Sequence, residues 1–396
     1  MTFRAAAAAI RDDLIALRRD LHQHPEIGLQ LPRTQEKILE ALAGLPLEIT
    51  LGSKLSSVVA VLRGGRPGPT VLLRGDMDAL PVREETGLPY ASTNGAMHAC
   101  GHDLHVASLV GAARLLCDVR DDLPGNVIFM FQPGEEGPGG AALMLEEGLL
   151  EAAGGSTDAA YTLHVLSAVD RHGLITTRRG PFMAGCDTLH VTVAGVGGHG
   201  SAPFRAKDPL PAACEMVLAI EVFVTRAFNI FDPVVVTVGN FHSGSVDNVI
   251  PMSTHFDATI RSFSAEARER LHEGLERTVR GIAAAHDLEV EIDYEWGYPV
   301  TVNDPAEAEW AADVVRETFG EDRFEWLENP GAGAEDMAFV QEKVASAYLN
   351  LGACPPDLDP ATAPNNHSPY ARFDDAVVPD GAALLATLAH QRLTRN

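Results

Sequence analysis

Apolar residues recur at helical spacing over residues 2–23 (Ile10, Leu14, Leu17, Leu21) and Pro25 closes the run, which predicts an amphipathic helix. A second, shorter helix is expected near 33–43. Two β-rich runs follow at 57–62 and 70–73, with Gly64, Gly65, Pro67 and Gly68 supplying the turn between them. The texture then alternates: a helix at 104–116, an apolar strand at 126–131, a helix at 141–150 and a strand at 159–163. Strands alternating with helices predict an α/β fold, a mostly parallel sheet with helices on both faces.

Near residue 182 the pattern changes. Leu189, Val191 and Val193 alternate with polar partners. A helix (212–225), two strands (234–239 and 255–263), a helix (265–286) and a strand (288–294) are expected next. This β-α-β-β-α-β order is that of a ferredoxin-like α+β module. After Pro299 the α/β texture resumes, with a helix at 305–318, an apolar run at 345–351 and a C-terminal helix from 378. The economical reading is one α/β domain interrupted by an inserted module.

Composition narrows the function. With 30 Lys+Arg against 55 Asp+Glu the formal charge is −25, which excludes a basic face for nucleic acid or for an anionic membrane surface. No apolar run approaches the ~18 residues of a membrane span. Ala5 to Ala9 are followed by Arg11, Asp12 and Asp13, so the opening segment reads as helix rather than as a secretion signal. The 5 cysteines are scattered and odd in number, as expected of free thiols in a reducing cytoplasm.

Candidate chemistry gathers in two short stretches. Met97-His98-Ala99-Cys100-Gly101-His102-Asp103-Leu104-His105 opens a predicted helix, and Gly101 as pivot lets Cys100 and His102 aim at one ion. Phe131-Gln132-Pro133-Gly134-Glu135-Glu136-Gly137 ends a strand, where ligand sites of open α/β sheets lie. On an extended segment these two carboxylates point apart, so one can bind a metal while the other takes a proton from water. His164 closes another strand and His367 sits in a Pro-bounded loop. Cys100, His102, Glu136, His164 and His367 make five donors, suited to two ions sharing bridges. Gly195-Val196-Gly197-Gly198-His199-Gly200 fits G-x-G-x-x-G, but Pro203, Pro209 and Pro211 follow where a dinucleotide site needs a helix.

With these residues assembled, the chain resembles the co-catalytic metallo-aminoacylase and carboxypeptidase superfamily, in its amidohydrolase branch of hippurate hydrolases, N-acyl-amino-acid deacetylases and auxin-conjugate hydrolases. The resemblance rests on Leu21-His22-Gln23-His24-Pro25-Glu26, Arg74-Gly75-Asp76-Met77-Asp78-Ala79-Leu80-Pro81, Met97 to Asp103, Gln132 to Gly137, Gly198-His199-Gly200-Ser201-Ala202-Pro203, Asn248-Val249-Ile250-Pro251 and His367-Ser368-Pro369, which span nearly the whole length. It implies a metal-binding catalytic domain over 1–180 and 295–396 and an inserted lid and dimerisation domain over 181–294.

The resemblance further implies two divalent ions (zinc, manganese, cobalt or nickel) held by Cys100, His102, Glu136, His164 and His367. It implies catalysis by Glu135, Asp78 and His199, with Arg261, Asn248 and His199 contacting the substrate. Asp78 and Asp103 are expected to orient ligand histidines. The implied reaction is hydrolysis of an N-acyl amino acid, a small molecule, by a homodimeric cytoplasmic enzyme. The alternative is a dipeptidase or carboxypeptidase using the same centre. Phe204, where several relatives carry a histidine, the looser Gly331 to Asp336 motif, and Tyr370-Ala371 after His367 are the departures from the pattern.

Overall fold

Strand Arg66–Asp76 lies inside an eight-stranded sheet, between Pro124–Gln132 and Ala159–Leu166, both parallel to it. Ser346–Gly352 adds a fourth parallel strand, with Ala347 opposite Tyr161. The edges are antiparallel additions. Val58–Arg63 and Leu47–Leu51 close one side, and Ile175–Thr177, carrying the parallel Phe324–Trp326, closes the other. The chain is seen here in a computed structural model that describes residues 2–395.

Both faces of the sheet are covered. Val71, Leu73, Val127, Phe129, Tyr161, Leu163, Ala347 and Leu349 join one large core with the helices, while their neighbours Leu72, Ile128, Met130, Ala160 and Tyr348 are equally buried. Continuous apolar runs of this kind are what a two-sided parallel sheet requires. The helix His102–Cys117 is buried on almost every side and packs against Arg11–Gln23 and Val378–Thr394. Gly111 makes that approach close: a Cβ there would stand 2.6 Å from the Ala382 Cβ and 2.9 Å from Leu14 Cδ1. Gly111→Ala gains about 1 kcal/mol of helix propensity, but forcing the helices apart costs about 1–3 kcal/mol. A net fall in the urea midpoint is the expected result, and an unchanged or higher midpoint would show that the helices part freely.

By packing, the chain divides into two units. One holds the chain up to Phe182, Val302–Asn329 and everything from Phe339; the other holds Met183–Thr301 and Pro330–Ala338. The second unit has a four-stranded antiparallel sheet in the order Val234–Ser243, Ser253–Ser262, Gly185–Ala194, Glu289–Glu295. Helices Pro209–Ala227 and Ala265–Ala285 complete the β-α-β-β-α-β order. Each starts on a side-chain cap, Asp208 accepting from the Leu210 amide and Ser264 from the Ala267 amide. Among the described residues no helix is long and apolar enough to cross a membrane.

Four local expectations change. The first helix is two, Phe3–Ala9 and Arg11–Gln23, because the Ile10 amide closes a tighter turn onto the Ala7 carbonyl. The strand expected at 70–73 runs over Arg66–Asp76, and the helix at 141–150 ends at Glu146. Glu135 and Glu136 sit in a turn rather than on an extended segment.

Candidate metal centre

Gly101 sets the first half of the site. It has φ +81°, and a Cβ there would lie 2.4 Å from Val165 Cγ2, so only glycine fits. The left-handed residue turns the chain into the helix His102–Cys117 and leaves Cys100 and His102 side by side. His164 comes from strand Ala159–Leu166, with Nε2 3.3 Å from the Cys100 sulfur. His367 comes from a loop, with Nε2 also 3.3 Å from that sulfur and 3.2 Å from Glu136 Oε1.

His367 is one of the few non-glycine residues with positive φ, 70°. Such a backbone costs about 1–3 kcal/mol and must be held by its surroundings. Asn366 does the holding. Its amide donates to the carbonyls of Cys100 and Val165, while its Oδ1 accepts from the Ser167 amide and hydroxyl. The sequence reading gave Asn366 no role; its place directly before His367 was the available signal.

The donors form two triads that share one atom. Cys100, His102 and His164 make one, and Cys100, Glu136 and His367 the other, each with its donor atoms within 4.8 Å of one another. Sulfur-to-nitrogen spacings of 3.3 Å lie close to the roughly 3.3–3.7 Å between ligands of a tetrahedral ion with bonds of about 2.0–2.3 Å. His102 Nε2 is buried without a hydrogen-bond partner and stands 3.9 Å from Glu136 Oε1. Orphaned buried polar atoms are rare in folded proteins. One beside a thiol and a carboxylate fits a cation held in common.

The supporting groups fix which ring nitrogen faces the cluster. His102 Nδ1 donates to the Asp78 carbonyl at 2.9 Å, leaving Nε2 for the cluster. The Asp78 carboxylate accepts the backbone amides of Glu135 and Glu136, at 3.0 and 3.1 Å. Its grip is therefore on the glutamate turn, and its carbonyl rather than its carboxylate orients His102. His105, also unassigned from sequence, accepts the Val165 amide on Nε2 at 2.8 Å and so donates from Nδ1 to Asp76, at 2.5 Å. Its position three residues after His102, one helical turn on, was the signal.

Burial opposes charge on Asp76, but Arg74, His102 and His105 outweigh it and hold the carboxyl well below its usual range. Burial likewise opposes charge on His102, yet Asp76 and Cys100 raise it well above the ordinary histidine value. Burial, with His105 second, pushes His164 well below, so it is neutral and ready to ligate. The hydrogen bonds to Cys100 and then Glu136 push His367 up to about 10.

Two residues of the histidine-rich stretch lie outside the cluster. Asp103 faces Arg18 Nε at 2.8 Å and His22 Nδ1 at 2.8 Å, not a donor histidine as expected. His98 is fully enclosed, and burial pushes its pKa down to about 3.

Glu135 is buried, and its carboxylate, like that of Glu136, lies within 4.8 Å of the His102 donor atom. The two carboxylates therefore converge instead of pointing apart. They differ in company: Glu136 belongs to the Cys100–His367 triad and Glu135 does not.

The remaining candidates are in the second unit. His199 is exposed, on a short ribbon in which it faces Val249, with the Gly200 amide bonded to the Asn248 carbonyl. His199 Nδ1 accepts from the Ser201 amide at 3.1 Å, which places the proton of the neutral ring on Nε2. Arg261 lies on strand Ser253–Ser262, with Nη1 donating to Thr259 Oγ1 at 2.8 Å.

A parallel-sheet unit with thiol, imidazole and carboxylate groups converging beside a further buried glutamate defines a metal-dependent hydrolase. The comparisons with known proteins agree. The profile described as Peptidase family M20/M25/M40 matches residues 72–391, and the chain belongs to that family. Thermostable carboxypeptidase 1 of Saccharolobus solfataricus is 35% identical over 385 residues, covering 96% of this chain and 95% of the relative. N-acetylcysteine deacetylase of Bacillus subtilis is 35% identical over 353 residues, 88% of this chain and 90% of the relative. The crystal structure of Bacillus subtilis YXEP protein, described as a dinuclear metal binding peptidase, superposes with a TM-score of 0.83 at 30% identity, covering 98% of this chain and 100% of that one.

Proposed function

We propose that this protein hydrolyses the amide bond of N-acyl amino acids, using two divalent ions held by Cys100, His102, Glu136, His164 and His367. The observation that carries the reading is the pair of donor triads meeting at Cys100. The dinuclear description of a 30% identical structure and the deacetylase name of a 35% identical relative support it. A thiolate with imidazoles favours zinc, cobalt or nickel, with manganese also open.

When bound, the ions supply electrophilic activation of water and of the scissile carbonyl. The chain's own groups do the rest. Glu135, buried beside His102, accepts the proton of the attacking water and returns it to the leaving nitrogen. His199 offers its Nε2 proton to the developing oxyanion. Asp78 positions both glutamates through their backbone amides. Arg261 receives the substrate carboxylate in its guanidinium fork, with Asn248 as a further contact.

A second reading, a carboxypeptidase or dipeptidase on the same centre, is favoured by the carboxypeptidase name of a relative that matches 96% of the chain. Turnover of N-acetyl and benzoyl amino acids against dipeptides, in the presence of each ion, separates the two. In the same panel, Arg261→Ala is expected to raise KM about 10–100-fold for substrates with a free carboxylate, the loss of a charge-assisted bond. KM for their carboxamides should barely change, and equal effects on both would remove Arg261 from carboxylate binding.

The second unit is assigned to dimerisation. Leu218 and Val222 on helix Pro209–Ala227, then Ile230, Phe231 and Val235, form an exposed apolar set, with Phe231 88% and Ile230 83% accessible. Leu218→Asp with Val222→Asp is expected to shift sedimentation from dimer to monomer; a wild-type chain already sedimenting as a monomer would refute the assignment.

A further inference from the structure

Alternation in Gly185–Ala194 and Ser253–Ser262 sends Leu189, Val191, Val193, Phe256, Ala258 and Ile260 into the core shared with the two helices of the second unit. The intervening His190, Thr192, His255 and Asp257 occupy the opposite, half-exposed face. There His190 Nδ1 stands 2.6 Å and His255 Nε2 2.7 Å from the same oxygen, Asp257 Oδ1. The donor atoms of all three lie within 4.8 Å of one another.

We propose that His190, His255 and Asp257 form a second metal site, separate from the Cys100 cluster, that takes a transition ion of the zinc, copper or nickel type. Two imidazoles and a carboxylate are the ligands such ions prefer. The far atoms of His255 and Asp257 are also held, and that of His190 has a carboxylate nearby. Thr192 Oγ1 bonds His255 Nδ1 at 3.1 Å, Asn240 donates to Asp257 Oδ2 at 2.6 Å, and Glu295 stands 3.7 Å from His190 Nε2. Outer partners of this kind fix the tautomer and aim of ligating side chains.

Ligands of a tetrahedral ion sit roughly 3.3 Å apart, so the three side chains must open by about 0.7 Å. Imidazoles with 36% and 38% of their surface accessible have that freedom. A fourth donor is at hand in His242, the exposed register partner of His255 on Val234–Ser243. Glu291, Asp293 and Glu295 are spaced at alternate positions on the neighbouring strand, with Asp293 opposite His190. They make the local potential favourable to a cation. An ion bound here ties adjacent strands together and stabilises the folded unit by RT ln(1 + c/Kd), with c the free ion concentration.

Zinc titration of the chelator-stripped full chain tests the site, followed by calorimetry and by the thermal unfolding midpoint. The wild type should bind one equivalent more than His190→Gln/His255→Gln, and zinc should raise its midpoint further. Thr192→Val, which removes only the hydroxyl behind His255, should weaken that equivalent about 10–100-fold while leaving the others unchanged. Equal stoichiometry in wild type and double variant, or an isotherm indifferent to Thr192→Val, would overturn the proposal.

Discussion

Cys100→Ser is expected to strip the proposed centre of metal and to lower turnover by at least ~1000-fold, beyond the ~10–100-fold that loss of an outer partner brings. The size follows from geometry. The Cys100 sulfur is the atom common to the His164 and His367 triads, 3.3 Å from His164 on one side and 3.3 Å from His367 on the other. A serine hydroxyl stays protonated where a thiol loses its proton on binding a metal, so both triads lose an anionic donor at once, and the first loses its only one. Cys117→Ser is the matching control. Burial pushes that thiol up to about 12, so it takes no part as thiolate, and its loss should leave metal content unchanged. Elemental analysis beside kcat checks both variants. A Cys100→Ser protein with full metal content and normal turnover would remove Cys100 from the centre.

That the thiol is shared could not be read from spacing, and the reason shows what the sequence carries. Cys100, Gly101 and His102 are adjacent, so their convergence is local and a glycine pivot announces it. His164 and His367 reach the same sulfur from a strand and a loop far along the chain. Nothing local marks them except an ending strand and a proline. The residues alone offered them as candidate donors, the resemblance implied them as ligands, and the structure shows which atoms they approach. The same limit explains the strands that were missed. Ile175–Thr177 and Phe324–Trp326 are three residues each, too short for alternation to register. Leu47–Leu51 is an exposed edge whose apolar side chains are not buried. Long two-sided strands such as Pro124–Gln132 were legible because both of their faces are apolar.

The glutamate pair shows the opposite error, in which a local rule was applied to the wrong local structure. Alternation separates neighbours on a strand, but Gly134 at φ +77° ends the strand and turns the chain. Asp78 then gathers both following amides, and both carboxylates come within reach of His102. Direction therefore cannot divide their roles. Their partners do.

Glu135→Gln is accordingly expected to keep both metal equivalents and lose about 10²–10⁴-fold in kcat, the range of general acid–base catalysis. That loss is roughly 2.7–5.4 kcal/mol of barrier. The substitution is nearly isosteric, and Asp78 holds this residue by its backbone, so the turn should survive. Glu136→Gln makes the contrast. It removes the charge 3.2 Å from His367 Nε2 and the anionic oxygen of the second triad, so metal content should fall together with turnover. The two variants thus separate a proton carrier from a ligand by which quantity moves first. Loss of metal from Glu135→Gln with retention in Glu136→Gln would reverse the assignment. Normal turnover in Glu135→Gln would leave the proton transfer to a group outside this turn.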